Sequence, residues 1–329
     1  MARKENRYMV LDCETATLPF ANEIAQGDPE KKKKIAIARP LIYDIGWVIT
    51  NRKGEILDSK QYLIAETFAV PAVFNTAYYA EKRPLYIDKL NKNETKILPW
   101  NDVVDIFLHD LNEVDSVGAY NSMFDFKKAI PFTDLYIRKL YSDDYFSWEK
   151  TQRTLCQKIA NEPYKKEDEK EFDGNTFSFR SNSYPLFDLW GLATRHLLNN
   201  ATYKKECLNH EMLTASGTYF KTSAESSYRY LMNKYDFDEA HTALEDAIIE
   251  TFILSKIANR HAISIGIIFF PFRELGTTDE FVMRRKNPDV HEVDIVINAI
   301  SQYLETRTPS NYTTRLENIV SRLEGYLTK

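Results

Sequence analysis

The chain is short of glycine, with 10 in 329 residues, and rich in tyrosine and phenylalanine, with 20 and 19. Such a balance favours helices and aromatic packing over glycine-built loops. Cysteine is nearly absent: Cys13, Cys156 and Cys207 are three in number and far apart. An odd, scattered set excludes a disulfide framework and points to a reducing, cytoplasmic compartment. Cys207 and His210 have half of a zinc-type spacing, but no second Cys/His pair sits nearby; a buried thiol and a surface imidazole are the plainer reading. Long apolar runs are missing too. Nothing approaches the roughly 20 residues of a membrane span, and the opening MARKENRY lacks the apolar core of a leader. A soluble, unexported protein without a membrane partner is expected. An excess of positive charge is also lacking, the net charge being −5. That argues against gripping nucleic acid by bulk charge. It leaves open a protein that meets phosphate through bound metal ions, because the metals bring the positive charge.

What is present reads as an α/β chain. Tyr8 to Cys13 is a short, fully buried strand. LIYDIGWVIT and EILDSKQYLIA flank the turn NRKG and form a hairpin. Residues 98–113 place Trp100, Val103, Val104, Phe107, Leu108 and Leu111 on one helical face. SVGAYN (116–121) is a further strand running into a short helix with Asp125. YPLFDL (184–189) is a strand leading into the helix DLWGLATRHLLN. Residues 224–233 and HTALEDAIIETFILSKIAN are helices, and 288–304 and 313–327 are amphipathic helices beyond a FFPF turn. Lysines 31–34 read as a solvated loop, and the polar stretch 141–182 as an exposed, partly mobile insertion.

Three small constellations carry chemistry. In VLDCET, Asp12 and Glu14 lie two apart on a strand, so both point the same way while Cys13 faces the other side. Two adjacent carboxylates at a buried strand end repel each other, and burial makes ionisation costlier. A divalent cation answers both problems, and hard oxygen ligands suit Mg²⁺ or Mn²⁺. The plainer reading of an acid-x-acid pair is a solvated strand end. In AHTALEDA, Thr242 and Glu245 have the spacing of a capping box, which starts a helix near Ala243. His241 then lies just outside the helix and Asp246 about one turn inside it, at the end that attracts anions. In NSMFD, Asn121 ends a strand and Asp125 follows one turn later. Asn at such a position is otherwise a helix cap or turn residue.

Taken together and in this order, D-x-E, N-x3-D and H-x4-D resemble the DEDD superfamily of 3′–5′ exonucleases, in its His-containing, DnaQ-like branch. The resemblance covers roughly residues 7–260. GAY ahead of Asn121 and FDLWGLATRHLL fit the same pattern, and TYFKTSAE with DFDEAHTALEDA is similar to exonucleases encoded by phages of Gram-positive bacteria. The family's ribonuclease H-like fold implies a mixed sheet flanked by helices. The domain would span 1–265, with insertions near 20–40, 66–96 and 141–182, followed by a helical extension over 266–329. By the same resemblance, Asp12, Glu14, Asp125 and Asp246 would hold two divalent cations, Mg²⁺ or Mn²⁺, around the scissile phosphate. His241 would accept a proton from the attacking water. Thr15, Leu18, Asn121 and Phe124 would shape the pocket for the terminal nucleotide. The sequence departs from the family pattern where Ala16-Thr17-Leu18 follows Thr15 in place of Thr-Gly, and where Tyr120 stands in place of a His before Asn121. The shape of the base pocket is what these changes touch.

The implied activity is metal-dependent hydrolysis of single-stranded or frayed DNA from its 3′ end, releasing nucleoside 5′-monophosphates. Short RNA as substrate, and a non-catalytic adaptor of a replication or recombination complex, are the alternatives. Tyr78, Tyr79, Tyr141, Tyr145 and Phe146 are candidates for stacking on bases, although most aromatics in a globular chain are core. The C-terminal stripes suit docking within the chain, a homodimer or a replication-protein contact.

Overall fold

The computed structural model describes residues 6–162 and 175–258, together with Ile263 and Thr278. The chain divides into two compact units, residues 1–206 with 222–271, and residues 207–221 with 272–329. The first is an α/β unit built on a seven-stranded mixed sheet flanked by helices. Its strands are β1 (Arg7–Ala16), β2 (Leu41–Asn51), β3 (Ile56–Ile64), β4 (Lys96–Leu98), β5 (Ser116–Ala119), β6 (Thr176–Phe179) and β7 (Asn182–Asp188). Their order across the sheet is β4-β3-β2-β1-β5-β7-β6. β1 runs antiparallel to β2 and parallel to β5, and β5 is parallel to β7.

Burial explains why the middle strands are so apolar. Every residue of β2 is buried, and Met9, Val10 and Leu11 of β1 are fully so. Strands covered on both faces read as continuous apolar runs rather than as alternation. On one face Met9, Leu11 and Cys13 join Ile45, Trp47 and Ile49 in the main core. The Trp100–Leu111 helix packs there, with the Phe107 ring 5.4 Å from Trp47. The opposite face carries Asp12, opposite Gly46 in the ladder, and Glu14, opposite Asp44. It receives the Ala243–Ala258 helix. Gly46 makes that approach possible: a Cβ there would lie 2.4 Å from the Leu244 amide nitrogen. The β2–β3 turn needs Gly54 for a different reason, its φ of +81°.

The helices at 100–111, 189–198, 224–232 and 243–258 follow the sequence patterns closely. Two regions do not. Lysines 31–34 lie in a helix, Pro29–Ala38, and not in a loop. Asp28 caps it by accepting from the Glu30 and Lys31 amides, and proline takes the first turn, where it costs no hydrogen bond. The 141–182 stretch is likewise no featureless insertion: it contains the Tyr145–Asn161 helix, β6 and the start of β7. Residues 163–174, with its charged centre, and the segments 288–304 and 313–327 lie outside the described residues. In the second unit, Leu213 pairs with Phe220 in an isolated antiparallel bridge. No helix among the described residues is long and apolar enough to cross a membrane.

Candidate active site

Four segments meet at the carboxyl end of β1. Asp12 and Glu14 arrive there by strand alternation, facing the Ala243–Ala258 helix. Just past Glu14 the β1–β2 ladder shifts register, so that Glu14 pairs with Asp44 but Thr15 pairs with Ile42. Such an irregularity re-aims side chains at a strand end. Asp125 comes from the turn after β5. There the Asn121 carbonyl accepts from the Phe124 amide at 2.8 Å and the Asp125 amide at 3.3 Å. The Asn121 side chain makes no capping bond; Ser122 does the local work, its hydroxyl accepting from the Ala119 amide and donating to the Phe187 carbonyl. Asp246 sits in the first turn of its helix and is buried.

The start of that helix differs from a capping box. Thr242 donates its hydroxyl to the Glu245 carboxylate at 2.5 Å. The Ala243 amide donates to Asp44 Oδ2 at 3.0 Å, so the cap comes from β2. Gln61 Nε2 donates to both Asp44 oxygens, at 3.0 and 2.9 Å. Lys89, nearly buried, lies 3.2 Å from Glu245 and donates to Thr242 at 3.2 Å. Asp44 therefore ties the helix bearing Asp246 to the strand beside Glu14.

Ligand atoms of Glu14, His241 and Asp246 lie within 4.8 Å of one another, and among the described residues this is the cluster that can hold a metal ion. Asp12 is close enough to raise the proton affinity of Glu14, Asp125 and Asp246 alike. Burial is the larger cause in each case, because it penalises the charged form. Asp12 itself is pushed up to about 7 by burial, then by the charges of Glu239 and Asp44. Asp246 is pushed up to about 9 by burial, then by Asp12, Glu239 and Glu245. Glu14 and Asp125 move in the same direction. Asp125 Oδ1 and Asp246 Oδ1 are buried and have no hydrogen-bond partner among the described residues. Two orphaned carboxylate oxygens amid mutually repelling acids fit a hard divalent cation, which would supply both the partner and the missing charge.

His241 has the opposite shift. Burial, then the nearby Lys82 ammonium, hold its imidazole below the ordinary 6.5, so it is neutral at pH 7. Glu239 Oε2 lies 3.7 Å from Nδ1.

Of the residues assigned to the nucleotide pocket, Thr15 and Phe124 are half-buried and Asn121 is exposed. Leu18 is fully buried in the core. Among the candidate stacking aromatics, Tyr78, Tyr141 and Phe146 are exposed, whereas the Tyr79 ring lies against His241. Tyr120 is buried in a structural role: its hydroxyl donates to the Thr222 carbonyl at 2.8 Å and pairs with the Ser227 hydroxyl. Cys207 is buried and His210 is exposed.

Motif reasoning missed Asp44, Glu239 and Glu250. Glu250 stands one turn beyond Asp246, is buried, and accepts from the Tyr120 amide at 3.2 Å. It joins the helix of Asp246 to the end of the strand that leads to Asp125. A sequence signal for it existed: an acid four residues from Asp246 in an otherwise apolar helix shares its face. No family model, no curated protein and no solved structure matches the chain.

Proposed function

We propose that the protein is a metal-dependent 3′–5′ exonuclease acting on DNA, single-stranded or frayed, with the ribonuclease H-like fold of the DnaQ-like, His-containing DEDD branch that its motifs resemble. One observation carries this reading. Three motifs separated by more than a hundred residues of chain meet at one end of β1: ligand atoms of Glu14, His241 and Asp246 lie within 4.8 Å of one another, Asp125 stands near enough to Asp12 to have its proton affinity raised, and two buried carboxylate oxygens have no partner among the described residues. The strand order, with β1 antiparallel to β2 and parallel to β5, is compatible with that fold.

In this reading Asp12, Glu14, Asp125 and Asp246 hold two divalent cations, Mg²⁺ or Mn²⁺. When bound, such cations make a water acidic and stabilise the charge on the leaving 3′ oxygen. His241, neutral at pH 7, accepts the proton of the attacking water on its imidazole, and the charges of Glu225 and Asp238 favour the imidazolium that results. Asp44 and Gly46 let the helix with Asp246 sit directly over β1 and β2. The product is a nucleoside 5′-monophosphate and a chain shorter by one nucleotide.

A time course on 5′-labelled single-stranded DNA and RNA of matched sequence tests this, with Mg²⁺, Mn²⁺ or chelator and with Asp246→Asn. A one-nucleotide ladder that needs both metal and Asp246 is expected, faster on DNA. A faster ladder on RNA would transfer the reading to an exoribonuclease. Binding without hydrolysis on either would replace it with a nucleic-acid adaptor.

A further inference from the structure

We propose that Tyr79, on the segment between β3 and β4, is a positioning residue for His241, and that Lys82 locks the loop bearing His241 onto the same segment. This rests on the exonuclease reading for its catalytic consequence, although its geometric content does not. His241 lies in the coil between Met232 and the Ala243–Ala258 helix, two residues before that helix begins, and has a φ of +53°, a left-handed conformation that non-glycine residues hold only when their surroundings fix it. Three contacts supply the fixing. The Tyr79 and imidazole rings stack at 4.5 Å between centroids, with 16° between planes. Lys82 donates its ammonium to the Ala240 carbonyl at 2.6 Å, one residue before His241. The same ammonium lies 4.7 Å from the Tyr79 ring centroid, over its face. The contacts close a ring: Tyr79 on His241, Lys82 on Tyr79, and Lys82 on the Ala240 carbonyl that precedes His241.

The chemistry explains why a general base would want this support. An imidazole on a free coil rotates about two side-chain bonds and drifts with its backbone. Proton transfer needs its nitrogen within hydrogen-bond reach of one water. A ring stacked face to face leaves the imidazole edges, and so both nitrogens, open while fixing its plane. Tyr79 itself is occupied by this contact and is therefore not free to stack on a base. The segment that holds it, inside residues 66–96, thus acquires a role in catalysis that no motif on β1 or on the Ala243–Ala258 helix reveals.

Two measurements on the full chain test the proposal. The first is the NMR spectrum of the histidine side chains, with His241→Gln used to assign the His241 signals among the six histidines. Stacking predicts His241 ring protons displaced by the Tyr79 ring current in the wild type, retained in Tyr79→Phe and lost in Tyr79→Leu. The second is the rate of ladder formation. Tyr79→Leu should lower kcat by about 10- to 100-fold with KM little changed, the loss expected when a reacting group is misplaced by about 1 Å. Tyr79→Phe should keep the wild-type rate, and Lys82→Met should fall between the two. His241 signals identical in wild type and Tyr79→Leu would overturn the stacking. Equal losses in Tyr79→Phe and Tyr79→Leu would overturn it in favour of the hydroxyl. A wild type that hydrolyses nothing would defeat the exonuclease reading, and the NMR result would still decide the geometry.

Discussion

Replacing Asp246 by Asn should stabilise the metal-free protein while abolishing hydrolysis. At pH 7.5 an unfolded chain carries this group ionised, its ordinary value being 3.8. In the fold it holds its proton up to about 9, because it is buried and faces Asp12, Glu239 and Glu245. Folding at pH 7.5 must therefore take up a proton. At about 1.4 kcal/mol for each pH unit above 3.8, the cost is about 5 kcal/mol. An amide is neutral at every pH and avoids that cost, less the imperfect fit of its NH2 group, so a gain of about 2–4 kcal/mol is expected. For a chain of 329 residues the gain corresponds to a rise in Tm of roughly 3–6 °C. The pH dependence gives the stricter test. A raised carboxyl contributes its stability fully below 3.8 and loses it as pH rises through about 9. The misfit of the amide is the same at every pH, so Asp246→Asn should melt somewhat below wild type at pH 4, overtake it as pH rises, and lead by a widening gap up to pH 8.5. Thermal melts in chelator across that range would show it, and added Mn²⁺ should raise the wild type far more than the variant. A variant that melts below wild type at pH 7.5, or a gap that does not change with pH, would refute the reasoning.

Other consequences are as direct. His241→Ala should slow hydrolysis by about 100-fold or more while Mn²⁺ binding persists; loss of metal with an unchanged rate per bound metal would make His241 a ligand. Metal binding should release protons, since Asp12 is raised to about 7 and Asp246 to about 9. Calorimetry in buffers of different ionisation enthalpy should find that release, and Mn²⁺ affinity should climb between pH 6 and pH 9; a pH-independent affinity would contradict the shifts. Gly46→Ala should push the Ala243–Ala258 helix off β2, because the added carbon meets helix backbone at 2.4 to 2.6 Å. A loss of about 3 kcal/mol in denaturant unfolding is expected, with activity falling further than stability alone explains; an unaffected enzyme would show that the helix position is not critical.

How far the sequence could be read follows from what each residue depends on. Asp12 and Glu14 were legible because strand alternation and an apolar flank are local. Asp125 and Asp246 stood out only through the resemblance to a known family, since an acid after a strand and an acid in a first helical turn are each common; their places, after β5 and at a helix start, are local and so were legible. Asp44 was not, since its place is set by pairing opposite Glu14 and by the approach of a helix two hundred residues away. Tyr79 and Lys82 depend on a coil reaching across to meet them. The lysine helix at 29–38 escaped notice because it buries only Ile35 and so lacks an apolar stripe. Yet Asp28-Pro29 was a readable helix start. The Thr242-x-x-Glu245 pattern marked the right position and the wrong bonds, because Asp44 supplied the cap first.

The most direct test of the metal site is anomalous diffraction from crystals of the full chain grown with Mn²⁺. Two peaks among Asp12, Glu14, Asp125 and Asp246, with carboxylate oxygens at about 2.1–2.3 Å and loss of at least one peak in Asp246→Asn, are predicted. No peak among these four acids at saturating Mn²⁺, or manganese bound only elsewhere, would contradict the account.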